Sequence, residues 1–489
     1  MVEVSRSWNT LLSSTLIPDD NRVAPESTMA EAPVAQSSPG QPAAVASEIA
    51  PSLLDPDALK VVGRLRQHGH QAYLVGGCVR DLLLGQKPKD FDVATSAHPG
   101  EVRAIFRNCR LIGRRFRLAH IYFKGGKLIE VSTFRANPIE IEEAARIEVE
   151  EAADGPDPLL EEEGGDEPPR SSEAALNGTA DLLITEDNVF GTAEQDARRR
   201  DFTINGLFFD VASGQVIDYV RGRRDLQEQW IRTIGDPEIR IREDPVRILR
   251  AVRFACRLHF EIDPRTYAAM EGAVEDLPRC APPRLLEETF RLLRGGIAQP
   301  SLRLLRALGA LKLLMPPVDD YLETHGKDGE VLFDSFASAA DRRILSGEKL
   351  DDAVLMGALL LPISRAAPAE SEKADSPPVV ADAIEELLTR FVQTARLPRK
   401  IAERTRSILL AQATLSGERR RRGSLARFRR HPIFNEALAL FEISVEATGQ
   451  YREILETWKS GGVPTFEAPA EGPKRRKRRR RRPGVQTAS

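Results

Sequence analysis

The sequence predicts an α+β protein: a small α/β head with a mixed sheet, then an all-helical neck and body, between disordered termini. Three observations lead there. Short apolar, alternating runs separated by Gly-rich turns crowd into residues 55–235. After Ile234 the strand signals vanish, and Leu/Ala/Arg-rich helical periods run to about Trp458. Both ends lack periodicity, residues 1–54 being rich in Ala, Pro, Ser and Glu and residues 459–489 in Arg. The expected division is an N-terminal extension 1–54, a head 55–235, a neck 236–300, a body 301–458 and a tail 459–489.

In the head, Ala58–His68 has the spacing of an amphipathic helix, and Tyr73–Val75 reads as a short apolar strand. Gly76-Gly77 turns the chain, and Arg80–Leu84 begins a helix. Asp90–Ala94 is extended and Pro99–Phe106 helical. Ala119–Phe123 and Leu128–Thr133 alternate around Lys124-Gly125-Gly126-Lys127, a hairpin. Residues near 140–185 are too polar to bury and read as a disordered acidic insertion. A second Ala/Pro/Glu-rich stretch, 364–379, interrupts the later helices.

Composition narrows the class. A chain of 489 residues has room for more than one core. Hydrophobic residues at 41% and charged residues at 29% fit a globular protein, while 6% aromatics argue against an aromatic platform as the main nucleic-acid surface. The net charge of −3 hides an acidic stretch at 140–167 and basic runs towards the C-terminus, so the total says little about partners. Cys78, Cys109, Cys256 and Cys280 are scattered, without the spacing of a disulfide frame or zinc site. The longest apolar run, Ala353–Ile363, is too short to span a bilayer. No basic patch followed by an apolar core opens the chain, and Met29 is an alternative start. The expected location is cytoplasmic.

Three motifs carry chemistry. The first is Leu74-Val75-Gly76-Gly77-Cys78-Val79-Arg80-Asp81 followed by Lys89-Asp90-Phe91-Asp92-Val93. Bare backbone N–H groups at the mouth of a helix, with Arg80, suit phosphate. In an extended segment Asp90 and Asp92 share a face, and two carboxylates beside a triphosphate suit two divalent ions. Taken singly, a Gly pair is a tight turn and Asp-x-Asp a solvated strand end. The second is Glu194–Leu207, where Arg200 can neutralise phosphate. Asp201 and Asn205, four apart, would share a helix face and hold a ribose hydroxyl or complete the metal site; the alternative is a helix start capped by Asp201. The third is Arg242–Phe254, a helix opening at Pro245 with Asp244 as its cap. Its stripe Arg247, Arg250, Arg253 is either a solvated face or a working one. Asp244 beside Arg247 would complement an exocyclic amine next to a ring-nitrogen acceptor, the edge shared by adenine and cytosine.

In this order the motifs resemble the polymerase-β-type nucleotidyltransferases, and within them the class II enzymes that extend RNA 3′ ends: bacterial poly(A) polymerases and CCA-adding tRNA nucleotidyltransferases. The resemblance covers Asp55–Arg294 closely and the helical body loosely, with departures at the acidic insertion and at 315–400. It implies a nucleotidyltransferase head in which Asp90 and Asp92 hold two Mg2+ ions and Asp201 is an active-site carboxylate. It makes Gly76, Gly77, Arg80, Arg200, Asn205, Arg250 and Arg253 contacts to the incoming nucleotide, and Asp244 and Arg247 its base readers.

Leu111-Ile112-Gly113-Arg114-Arg115-Phe116-Arg117-Leu118-Ala119-His120-Ile121 is similar to the segment that marks poly(A) polymerases. Pro283–Thr289 and the Arg-rich tail point the same way. The implied activity is addition of AMP from ATP to RNA 3′ ends (mRNA, small RNA or tRNA). CCA addition to tRNA is the alternative, and a silent RNA-binding scaffold a third reading. No protein partner is indicated. Arg114, Arg115 and Arg117 suit RNA or triphosphate, or form a solvated hairpin edge. Glu130 is a third metal-site acid, a general base for the primer hydroxyl, or an edge-strand charge. Arg419–Arg422 with Arg427, Arg429 and Arg430 is expected on helices of the body. The run from Lys474, Arg475, Arg476, Lys477 and Arg478 to Arg482 repels itself, and its natural partner is a polyphosphate such as RNA.

Overall fold

The computed structural model describes residues 49–113, 117–136, 189–366, 377–418 and 425–466. The extension up to residue 48, Arg114, Arg115, the insertion at 137–188, Arg419–Arg422 and the tail from Lys474 to Arg478 and beyond lie outside the described residues. Two compact units divide the chain: one reaches to Asp320 and includes Gln393–Arg396, and the other takes Tyr321–Val392 and the residues from Leu397 on. The sequence placed a boundary at 300/301 instead.

The first unit opens with a 3-10 turn, Pro51–Leu53, inside the segment expected to be unstructured. Helix α1 (Pro56–Gln67) follows because Asp55 caps it, accepting from the N–H groups of Asp57 and Ala58, with Pro56 in the first turn. Its Ala58, Val61, Val62 and Leu65 face is buried. Next come β1 (Ala72–Val75), α2 (Gly77–Leu83), β2 (Asp92–Thr95), α3 (Pro99–Ile105), β3 (Cys109–Ile112), β4 (Leu118–Tyr122) and β5 (Leu128–Thr133). Helix α2 starts at Gly77, three residues before the expected Arg80. Gly76 at φ +74° turns the chain directly off β1, a conformation that side chains disfavour.

After the insertion come α4 (Ala193–Arg198), β6 (Leu207–Asp210), β7 (Gln215–Asp218), α5 (Gly222–Gln227) and β8 (Trp230–Ile231). Seven strands form one sheet in the order β3-β4-β5-β2-β1-β6-β7. Every pairing in it is antiparallel except β2 with β5, so the sheet is mixed as expected. The two ends of the insertion meet: the Ala136 N–H donates to Val189 O at 3.0 Å, the Gly191 N–H to Phe134 O at 3.0 Å, and Arg135 bridges Phe190.

Two expectations are corrected here. Asp201 and Asn205 do not ride one helix: α4 ends at Arg198, Phe202 bridges Thr233, and Thr203–Asn205 is a 3-10 turn. Strands also do not end at Ile234. Glu261–Ile262 forms β9, parallel to β8, too short to show any period.

The remaining elements of the unit are α6 (Pro237–Glu243), α7 (Val246–Leu258), α8 (Pro264–Ala273), α9 (Pro282–Arg294), α10 (Ala298–Ala307) and α11 (Leu311–Leu314). On α7, Ile248, Leu249, Val252 and Phe254 are buried as the pattern demanded. The Asp244 side chain does not cap this helix, because its carboxylate is paired with Arg284 at 2.7 Å.

Helix α12 (Pro316–Leu345), broken at Gly326, leads into the second unit. There α13 (Asp352–Ala366) is buried from Ala353 to Ser364, so the longest apolar run is a core helix. It packs against α15 (Arg399–Leu415) and α17 (Phe434–Thr448), with α14 (Pro377–Thr394), α16 (Leu425–Arg429) and α18 (Arg452–Lys459) completing the unit. Gly357 on α13 lets Leu440 approach, since a Cβ there would sit 2.9 Å from Leu440 Cδ2. Trp458 closes the core, its buried Nε1 donating to Leu415 O at 3.1 Å. Arg427 and Arg430 are exposed. No described helix is long and apolar enough to cross a membrane.

Candidate active site

The carboxylates come first. Asp92 opens β2, and the parallel ladder sets it opposite Glu130 on β5. Because β5 lies between β4 and β2, Glu130 is not an edge-strand charge, and that explanation falls away. Burial, then Glu130 and Asp90 beside it, push the Asp92 carboxyl up to about 6 against the pull of Arg200. Crowded acids of this kind are relieved by a cation. Among the described residues no group of three or more His, Cys, Asp and Glu side chains is poised to hold a metal alone. Two carboxylates that need phosphate oxygens to complete the shell suit Mg2+, a hard ion that keeps few protein ligands. The donor set therefore fits the metal that the sequence implies. Cys78 lies beneath, its thiol pushed up to about 12 by burial and by Asp92, and is inert.

Beside the acids runs a chain of polar contacts. Gly76 brings the backbone under Arg200, whose Nη1 would stand 2.8 Å from a Cβ at that position. Arg200 is held by Asp196 at 2.9 Å and lies over the Phe208 ring. Arg80, buried, spends its guanidinium on Asp81 and on Asn205 Oδ1 at 2.7 Å. Asn205 Nδ2 donates to Asp201 Oδ1 at 3.1 Å, and Asp201 Oδ2 accepts from Arg250. Burial works to raise the Asp201 carboxyl, but Arg250, Asn205 and the Phe202 N–H outweigh it and hold it at about 2. Asp201 and Asn205 thus do meet, without a shared helix.

Arg250 and Arg253 of α7 both turn towards Glu288 on α9, at 3.5 and 3.1 Å, and Arg291 joins at 2.8 Å. Burial, with Arg250 and Arg291 nearby, lowers Arg253 to about 10 although Glu288 opposes this. The stripe is therefore no solvated face. Arg247 is buried against Glu243 at 3.1 Å and also donates to Arg240 O. Asp244 and Arg247 stand at one cleft wall, each with a protein partner.

All these groups line one cleft of about 1630 Å³: Asp90, Asp92, Glu130, Gly76, Gly77, Arg80, Arg200, Asp201, Asn205, Asp244, Arg247, Arg250 and Arg253. Small-ligand sites measure roughly 300–1,000 Å³, so there is room here for a nucleotide and the end of a second chain. Arg117, exposed before β4, is not part of the lining. Arg284 and Glu288, singled out by sequence only as part of the Pro283–Thr289 segment, line the cleft as well, and so do Arg291 and Arg257, which the sequence reading did not mark. The signal for Glu288 was its place three residues before Arg291, but only the packing of α9 on α7 shows that it gathers three arginines.

A model of the poly A polymerase head domain matches residues 72–232, and a second, described as the probable RNA and SrmB-binding site of polymerase A, matches 259–322. The chain is 38% identical over 82% of its length, and 81% of the relative's, to Poly(A) polymerase I of Salmonella typhimurium. It is 35% identical to the Haemophilus influenzae protein of the same name, covering 84% of this chain and 85% of that one. A CCA-adding enzyme of Bacillus pumilus shares 32% over 57% of each chain. Among solved structures, the Bacillus stearothermophilus CCA-adding enzyme in complex with CTP aligns with a TM-score of 0.57 at 24% identity, over 83% of this chain and 82% of that one, a likeness of fold. The mixed-sheet head, the paired acids and these identities place it: the chain belongs to the class II nucleotidyltransferases, in the family of the bacterial poly(A) polymerases.

Proposed function

We propose that this chain is a template-independent polynucleotide adenylyltransferase of the cytoplasm, adding AMP from ATP to RNA 3′ ends and releasing pyrophosphate. The observation that carries the reading is the Asp92 carboxyl set opposite Glu130 and beside Asp90, in an arginine-walled cleft, in a chain so similar to proteins named Poly(A) polymerase I. Asp90 and Asp92 would hold two Mg2+ ions, which supply Lewis-acid activation of the α-phosphate and a lowered pKa for the primer hydroxyl. Arg200, anchored on Asp196, faces the acids and offsets phosphate charge. Arg250 and Arg253, kept in place by Asp201 and Glu288, present the other wall. Asp201 and Arg80 act as positioning residues, because their polar atoms are engaged by protein partners. Asp244 and Arg247 read the edge of the base, and Arg284 holds the Asp244 carboxylate. With the reacting groups aligned, the work left is positioning and charge compensation.

The test is incorporation by the purified protein with Mg2+, one NTP at a time, on oligo(A) or on tRNA lacking CCA. Long homopolymer A from ATP is the expected result. On tRNA lacking CCA, two CMP from CTP alone, followed by a single AMP only when ATP is supplied with it, would assign CCA synthesis, and no incorporation would leave an RNA-binding scaffold.

A further inference from the structure

The outer half of the sheet has one covered face and one open face. On β4, Ala119 and Ile121 are buried while Tyr122 is exposed; on β5, Ile129 and Val131 are buried while Leu128 is exposed. Alternation puts His120, Tyr122, Leu128 and Glu130 on the open face. Register then lines up a row across four strands: Asp92 opposite Glu130, Glu130 opposite His120, and His120 opposite Arg110. The row that begins at the acids thus continues outward past the lining of the cleft, which includes Glu130 but not His120, Tyr122 or Arg110. At its outer end the Arg110 guanidinium lies over the Tyr122 ring, 5.8 Å from the centroid, and the His120 ring is 6.5 Å from Tyr122. His120 Nε2 is 3.4 Å from Glu130 Oε2. Tyr122 is 40% exposed, with Leu128 at 37% opposite it on β5.

We infer that this open face is a subsite for the unpaired 3′ end of the RNA primer, with Tyr122 stacking on a base and Arg110 neutralising a phosphate. The inference rests on the adenylyltransferase reading above. A polyanion with π-faces is what an exposed ring under a guanidinium complements, and base–aromatic stacking tolerates any sequence. Two strand spacings, about 10 Å, separate β2 from β4. Tyr122 lies two residues, about 7 Å, along β4 from His120, so at roughly 3.4 Å per stacked nucleotide it stands about three to four nucleotides behind the acids. Continuity with the carboxylate row gives the primer its direction, the terminal hydroxyl arriving at Asp92.

The test compares wild type, Tyr122→Ala, Tyr122→Phe and Arg110→Ala on a short oligo(A) primer, by steady-state kinetics and by fluorescence anisotropy of the labelled primer without ATP. Tyr122→Ala should raise the primer KM and the anisotropy Kd about tenfold, while the KM for ATP moves within about twofold. Tyr122→Phe, which keeps the stack, should behave as wild type. A hairpin primer base-paired to its last nucleotide should be insensitive to both Tyr122 variants. Unchanged primer KM and Kd in Tyr122→Ala and Arg110→Ala would overturn the subsite. Equal rises in the KM for ATP and for primer would also overturn it, as general damage. Failure of the wild type itself to extend oligo(A) would defeat the adenylyltransferase reading instead, and the anisotropy series would still decide whether RNA lies on this face.

Discussion

Arg250 gives both Nε and Nη2 to one oxygen of Asp201, at 2.7 and 2.6 Å, across 49 positions of sequence. The pair joins the loop after α4 to α7. It holds Arg250 at the cleft wall and leaves Asp201 no oxygen to spare. Asp201→Asn should therefore destabilise the fold at neutral pH, by less than the roughly 3–5 kcal/mol of a buried charge left alone, because Glu288 still faces Arg250 at 3.5 Å. The Asp201 pKa lies below its unfolded value, so its contribution is present above about pH 4 and is lost as pH falls through about 2. Urea melts should show the gap between wild type and variant narrowing in that acid window. A gap constant down to pH 2 would contradict the pairing.

Asp92 predicts the opposite sign. Its folded pKa is raised to about 6, so the stability tied to its protonated form is full below about pH 4 and lost as pH rises through 6. In metal-free buffer, Asp92→Asn should equal wild type near pH 4 and exceed it above pH 6 by on the order of 1–3 kcal/mol. Incorporation should be abolished. Calorimetry with a chelator present reads the first effect and the extension assay the second.

Gly76→Ala places a Cβ where Arg200 Nη1 now sits, at a φ of +74°. The strained backbone costs of the order of 1–3 kcal/mol. Displacing Arg200 should also raise the KM for ATP. A variant with unaltered melting and ATP kinetics would show that the turn tolerates side chains.

For base choice, Asp244→Ala should relax the preference for ATP over GTP and UTP more than it slows incorporation of ATP. Arg247→Ala should do the same with an added loss of stability, because Arg247 is buried against Glu243. Four parallel single-nucleotide assays decide, and unchanged ratios would make these residues part of the neck's packing alone.

Removing the chain from Lys474 onward should weaken RNA binding and flatten its salt dependence. Each lost phosphate contact lowers the log–log slope by about 0.7 on single strands. Filter binding across a salt series measures this, and an identical slope would leave the tail to some other partner.

Much of this architecture is legible in the sequence. Alternation and Gly-rich turns indicate the hairpin, a local pattern. The strand expected over Asp90–Ala94, by contrast, begins only at Asp92, and Asp90 sits in the bend before it, so strand alternation is not what brings the two acids together. Local signals could not show that β5 is interior to the sheet, which is what removes the edge-strand account of Glu130. The Asp201–Asn205 pair was found through helical spacing, although a 3-10 turn and not a helix joins them. The role of Glu288 stayed hidden because its partners lie on another helix, and helix-to-helix packing leaves no periodic trace.

The contacts that close the chain across 137–188 have a practical corollary. With Ala136 bonded to Val189 and Gly191 to Phe134, the head already holds the two ends as neighbouring rungs of a ladder. The described lining of the cleft is drawn from residues before and after this segment. Each halving of a loop regains about 0.6 kcal/mol of closure entropy, so a short Gly-containing turn grafted between Ala136 and Val189 should leave a head about 2 kcal/mol more stable. The flanking rungs thus mark the point at which a different connection could be spliced into the head.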